Sequence, residues 1–159
     1  MTLVDDGDLI RGLGFVALYA AYLEGAVDEC LHVIAANDSD CKCRDLHRWG
    51  TSRKLQYLQK QLRKLEPLPS ELANFPNTLQ AISDLFEERN LVVHGRIYSI
   101  PSVGDVRISG RLGIPETPVR SAELYVLAND LFAARIPLQH ASMFSLNRAY
   151  RGFCSEKLT

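Results

Sequence analysis

Apolar residues recur every three or four positions at Leu9, Leu13, Val16, Ala20, Leu23, Val27, Cys30 and Ile34, which predicts one long core helix from about 7 to 36. The stretch "NDSDCKCRDLHRWG" interrupts the repeat with turn-forming residues and predicts a loop. Thr51 or Ser52 can then cap a second helix, with Leu55, Leu58, Leu62 and Leu65 on one face and Pro67 beyond its end. Pro76 suits the first turn of a third helix, whose apolar face of Leu79, Ile82, Leu85, Phe86, Val92 and Val93 runs up to His94, with Gly95 as the stop. From 96 to 111 the pattern turns β-prone around Ile97, Val106 and Ile108, and "PSVGD" between them predicts a small hairpin. Thr117 as cap and Pro118 in the first turn start a fourth helix carrying Val119, Leu124, Leu127, Leu131 and Phe132, which Pro137 kinks or ends. The tail "RGFCSEKLT" is expected to fray, with Phe153 as a candidate to dock. The expected architecture is a single all-α domain over 1–159, a four-to-five-helix up-down bundle with one inserted β-hairpin.

Composition agrees with that picture. The 159 residues are 47% hydrophobic and 23% charged, suited to one well-formed core. No apolar run approaches the roughly 20 residues of a membrane span, and the acidic start "MTLVDDGDL" differs from a signal peptide, so a cytoplasmic protein with no membrane partner is expected. Cys30, Cys41, Cys43 and Cys154 fit no familiar secreted framework and are read as reduced thiols. Cys30, His32, Cys41, Cys43 and His47 could supply zinc ligands, but their spacing is not that of structural zinc sites, and no metal or other cofactor is expected.

A net charge of −1 excludes nucleic-acid coating by bulk charge. The distribution is uneven, however. Residues 42 to 64 carry Lys42, Arg44, Arg48, Arg53, Lys54, Lys60, Arg63 and Lys64 against Asp45 alone. This is a solvated helix face or a contact for a phosphate backbone, with Arg53, Lys54 and Lys60 as RNA-binding candidates. Trp49 and Tyr57 beside it could stack on bases or serve as core or interface aromatics.

The segment "ERNLVVHG" concentrates the candidate chemistry. At about 100° per residue, Arg89 falls in the middle of the stripe of Ile82, Leu85, Phe86, Val92 and Val93, where a leucine would be expected. A guanidinium there must meet a carboxylate, a cleft or a subunit interface. Asn90 and His94 are four apart on the edge of that stripe, so the amide could orient the imidazole. Arg89 and His94 lie about 140° apart, and a second copy related by a two-fold axis would bring two such pairs into one cleft. The alternative is Arg89 neutralised by Glu24 or Asp28, with His94 merely capping. With 13 Arg and four His in the chain, this spacing arises about once by chance. "RIPLQH", with Arg135 and His140, is such a match. It contains Pro137, lacks a polar residue after its arginine and is expected to end no clean helix.

"RNLVVHG" at the end of a third helix that follows a long first helix resembles the signature of the HEPN (higher eukaryotes and prokaryotes nucleotide-binding) domain superfamily: Arg, a polar residue, three to five positions, then His. The helix order extends the resemblance over most of the chain. It implies a HEPN-like fold and a metal-independent endoribonuclease, toxin- or defence-like, working at a homodimer cleft. Arg89, Asn90 and His94 would be its catalytic residues, with Arg96 beside them as an RNA contact. It also implies RNA as substrate and a cognate antitoxin or regulatory protein as partner. Some members have lost activity and serve as binding or dimerisation modules. In the subfamily paired with nucleotidyltransferase antitoxins, a tyrosine often stands two residues after the histidine; this chain has Arg96 there.

Overall fold

The structure, a computed structural model, describes residues 2–37, 48–100, 104–108 and 117–156, with 99–100, 105–108 and 153–156 described by their backbone alone. The chain is mainly helical: α1 (Leu9–Asn37), α2 (Thr51–Arg63), α3 (Phe75–Val93), α4 (Ser121–His140) and α5 (Leu146–Glu156), with strands β1 (Arg96–Ile100), β2 (Gly104–Ile108) and β3 (Thr117–Pro118) between α3 and α4. Two compact units are present, Met1–Ala21 with Asp84–Ala133, and Tyr22–Ser83 with Ala134–Thr159. Their boundaries fall inside α1, α3 and α4.

In the first unit, "DDGD" begins α1. The Asp8 carboxylate accepts the Arg11 N–H at 3.0 Å, satisfying one of the unpaired donors of the first turn. Asp5 and Asp6 accept the N–H groups of Gly7 and Asp8 in successive Asx turns. Gly7 lies at φ +81°, a left-handed conformation that favours glycine. This segment is fastened to α4: Asn129 Oδ1 accepts the Leu3 N–H at 2.8 Å, Ser121 donates to Asp5, and the Tyr125 hydroxyl donates to Asp6 at 2.7 Å. Beneath it, Val16 and Ala20 of α1 and Leu124, Leu127, Ala128 and Leu131 of α4 are buried. Phe15, Tyr19, Tyr125 and Phe132 form a chain of ring contacts with centroids 4.7–5.9 Å apart. Gly12 permits the close approach of α4, since a Cβ at that position would lie 3.0 Å from Leu124 Cβ.

The predicted hairpin is the antiparallel β1–β2 pair, with Arg96 opposite Ile108 and Ile100 opposite Gly104. Gly104, at φ +92°, starts the return strand. Thr117 and Pro118 were expected to start the fourth helix; instead they pair with Arg107 and Val106 as β3, and α4 begins at Ser121. Proline at this strand end is tolerated because it need not donate to a further neighbour.

The second unit is built on Leu23, Ala26, Val27, Cys30, Leu31 and Ile34 of α1, all buried, with Leu55, Leu58 and Leu62 of α2 and Leu79 and Ile82 of α3. Each such aliphatic chain contributes roughly 1.5–3 kcal/mol on full burial. Gly50 occupies the N-cap of α2, and the Thr51 hydroxyl, expected to cap, donates to Glu24 at 2.9 Å instead. Pro137 does not end α4, which continues through it to His140; a π-helical turn over Ala141–Ser145 then leads into α5. α5 carries helix through Glu156 into the segment expected to fray, and Phe153 lies among the residues whose side chains are not described. The Cys30 thiol donates to the Leu138 carbonyl at 3.4 Å. Burial, then the nearby Glu29 charge, push its pKa up to about 12, so it remains protonated.

By length and composition α1 could cross a membrane, contrary to the sequence expectation, although a third of its most apolar window is buried within the protein. Its apolar content includes Ala17, Ala20, Ala21, Ala26, Ala35 and Ala36, which reading by large side chains undercounts.

Candidate functional site

α3 carries the segment "ERNLVVHG" at its C-terminal end, with Val93 its last helical residue. Arg89 and Asn90 are half-buried and His94 is exposed. The Arg89 Nη1 donates to Asn90 Oδ1 at 2.9 Å, while its Nε is buried and has no hydrogen-bond partner. Among the described residues, no carboxylate is paired with Arg89. Glu24 and Asp28, the carboxylates considered for it, are taken by Lys54, whose Nζ lies 3.4 Å from Glu24 and 2.9 Å from Asp28.

The expected Asn90–His94 side-chain bond is absent. The Asn90 amide oxygen holds the arginine, and the contact between 90 and 94 is the backbone bond from His94 N–H to the Asn90 carbonyl at 3.1 Å. That bond keeps His94 in helical register although α3 ends at Val93. Arg89 and His94 therefore remain about 140° apart around the axis, and the final turn does not bring them together. Val93, assigned to the apolar face, is 36% exposed. Gly95 ends the helix without entering the left-handed region, because the chain passes directly into β1 at Arg96.

The second Arg–His match, Arg135 and His140, differs in its setting. Helix continues past His140 through the π-helical turn into α5, so this match ends no clean helix, as expected. The His140 ring packs on Phe144 with centroids 5.3 Å apart. The His94 imidazole has no such neighbour among the described residues.

Arg96 begins β1 and is exposed. Further along that strand, Ile97 and Tyr98 join Gly7, Asp8, Ile10 and Leu13 around a shallow cleft of about 500 Å³.

Of the residues suggested on α2, Lys54 cannot serve RNA: it is 4% exposed and faces two acids inside the protein. Burial opposes its charge, but the hydrogen bond and charge of Asp28, followed by Glu24, outweigh this and raise its pKa above the usual lysine value. Lysine at 54 belongs to the buried side of the helix with Leu55, Leu58 and Leu62, a placement that its wheel position could have revealed. Arg53 and Lys60 are exposed. The Arg53 guanidinium lies 4.2 Å from the Trp49 ring centroid, and Trp49 meets Tyr57 edge-to-face at 5.2 Å.

Of the possible zinc ligands, Cys41, Cys43 and His47 lie outside the described residues, and Cys30 is a buried thiol committed to Leu138. No protein-family model, curated protein or solved structure matches the chain.

Proposed function

We propose that the chain is a HEPN-like, metal-independent endoribonuclease of the toxin or defence type, acting in the cytoplasm as a homodimer. The observation that carries this reading is Arg89: a guanidinium set into an apolar helix face, without a carboxylate, steadied by Asn90 and with Nε unpartnered. Such a group is suited to an anion supplied from outside the chain.

In the proposed reaction the RNA 2′-hydroxyl attacks the adjacent phosphorus and the 5′-oxygen leaves, giving a 2′,3′-cyclic phosphate and a 5′-hydroxyl. One His94 removes the 2′ proton and the His94 of a second copy protonates the leaving oxygen, each contributing roughly 10² to 10⁴ in rate. Arg89 binds the non-bridging oxygens as charge grows on the phosphorane, and Arg96 holds a neighbouring phosphate. The roughly 140° between Arg89 and His94 supports a composite cleft, in which the arginine of one copy serves the histidine of the other. A cognate antitoxin or regulatory protein would act by covering that cleft.

The unoriented His94 imidazole favours a second reading, a HEPN-like module that binds nucleotide, RNA or a protein without cleavage. The experiment is incubation of purified protein, His94→Ala and Arg89→Ala with mixed RNAs in EDTA, with analysis of product ends and of mass in solution. Cyclic phosphate ends that disappear in both variants support the ribonuclease. RNA retained but uncut by the wild type leaves the binding module.

A further inference from the structure

We propose that the outer face of α2, with the cleft at its C-terminal end, is a binding track for single-stranded RNA. The track rests on the ribonuclease reading only for the identity of the strand. On the helix wheel, Arg53, Tyr57, Lys60 and Lys64 fall within about 60° of one another and Arg63 flanks them, while Lys54, Leu55, Leu58, Gln61 and Leu62 occupy the buried side. From Arg53 to Arg63 the axis rises about 15 Å. No acidic residue occurs from Arg48 to Leu65, and among the described residues neither Lys60 nor Arg63 has an ion-pair partner. The inward Lys54 is the cation that meets the Glu24 and Asp28 carboxylates of α1, and among the described residues neither carboxylate pairs with Arg53, Lys60 or Arg63.

The face also carries a platform for bases. Trp49 stands at the helix start, its ring engaged by Arg53 on one side and by the edge contact with Tyr57. A guanidinium on an indole is a flat, cationic surface on which a base can stack beside a bound phosphate. At the other end, Arg63 borders a cleft of about 360 Å³ lined by Leu62 and Pro76, the amides of Gln59 and Asn77 and the carboxylate of Glu66. Apolar surface beside amides and a carboxylate, which accepts from a base amino group, suits an unstacked base, with Arg63 placed for its phosphate. None of the exposed large apolar side chains belongs to α2, so the face offers nothing to insert between lipid chains, which favours nucleic acid over an anionic membrane. Stacking requires unpaired bases, which favours a single strand over a duplex.

Fluorescence anisotropy with a labelled 2′-O-methyl RNA of about 12 nucleotides, within usual single-strand site sizes, tests this on the intact chain. This probe lacks the 2′-hydroxyl nucleophile, so binding is read apart from cleavage. R53Q/K60Q/R63Q should weaken binding at least tenfold and lower the slope of log affinity against log salt by about 2, roughly 0.7 for each phosphate contact. W49A should weaken binding about tenfold with the slope unchanged. The control R120Q, at an exposed arginine of the first unit, should change it less than about twofold. An unchanged slope in the triple variant, equal losses in R120Q, or tighter binding to phosphatidylserine vesicles than to the RNA would overturn the proposal. Binding that follows the expected pattern while no RNA is cut in EDTA removes the ribonuclease and leaves the track. Cleavage that persists with probe binding indifferent to the α2 changes removes the track alone.

Discussion

Replacing Lys54 by methionine keeps most of its length and apolar stem but removes the one cation that, among the described residues, pairs with Glu24 and Asp28. Lysine at this position is 4% exposed, with ion-pair distances of 2.9 and 3.4 Å. Breaking a fully buried pair costs about 3–5 kcal/mol. Here the carboxylate side chains are 37% and 31% exposed and can recover water, so the expected loss falls to about 2–3 kcal/mol. For a chain of this size that lowers Tm by about 4–12 °C. Urea titration followed by circular dichroism measures it, and K54M/E24Q/D28N should recover most of the loss because it removes the whole charge cluster. The pH dependence has a definite sign. The folded pKa of Lys54 is raised, so its stabilisation is complete below the unfolded value of about 10.4 and disappears as pH rises through the folded one. The wild type and K54M should therefore differ by a constant amount from about pH 7 to 9.5 and converge above it. A loss below about 0.5 kcal/mol in K54M, or a triple variant as unstable as the single one, would refute this account of the cluster.

Other changes test separate parts of the molecule. Gly14→Ala and Gly25→Ala place a Cβ in open space within α1 and should each stabilise by about 1 kcal/mol in urea titration, whereas Gly12→Ala, pressed against Leu124 and Tyr125, should destabilise. The Asp6–Tyr125 bond, helped by the Asp8 N–H and the Arg11 charge, holds the Asp6 pKa below the usual carboxylate range; the same bond raises Tyr125 to about 12 against the opposing Arg11 charge. Its stabilisation should thus be lost as pH falls through the lowered Asp6 value or rises from about 10 towards 12, and Asp6→Asn should lower the phenolate midpoint read at about 295 nm. Arg89→Leu should abolish the proposed cleavage while leaving stability unchanged or about 1 kcal/mol higher, since it fills an apolar position and removes a buried, unpartnered Nε.

The helices legible in the sequence are those whose apolar period continues through the core. The stripe from Val16 to Ile34 is buried at every position expected of it. Element ends were harder to read because local chemistry competes for the same residues. Thr51 has the right side chain for a cap but meets a better acceptor in Glu24, and Pro118 suits a first helical turn but ends a strand. Of the candidate site, the intrusion of Arg89 into an apolar face was visible on the wheel. The partner of Asn90 was not, since a side chain four residues away and one beside it satisfy the same amide equally well in a linear sequence. Lys54 was misassigned for a related reason. Counting charges along α2 ignores which side of the helix each occupies.

Lys54 and Arg89, both set into apolar helix faces, therefore pose opposite problems. Lys54 meets two carboxylates and the hydroxyl of Thr51 joins them at Glu24, so its charge is accounted for within the chain. Arg89 has five donors and one described acceptor, a neutral amide. A neutral oxygen positions a guanidinium without neutralising it, and an apolar surround strengthens its attraction for an approaching anion. Folding alone gives no reason to retain arginine there, because leucine would fill the stripe without an orphaned Nε. If the anion is a phosphate, positioning by Asn90 matters more than an imidazole contact within the same chain. His94, held about 140° away by a regular last turn, would meet that phosphate from a second copy. On the proposed reading Asn90 would then act as a positioning residue for Arg89, and the division of labour would fall between subunits rather than along one helix.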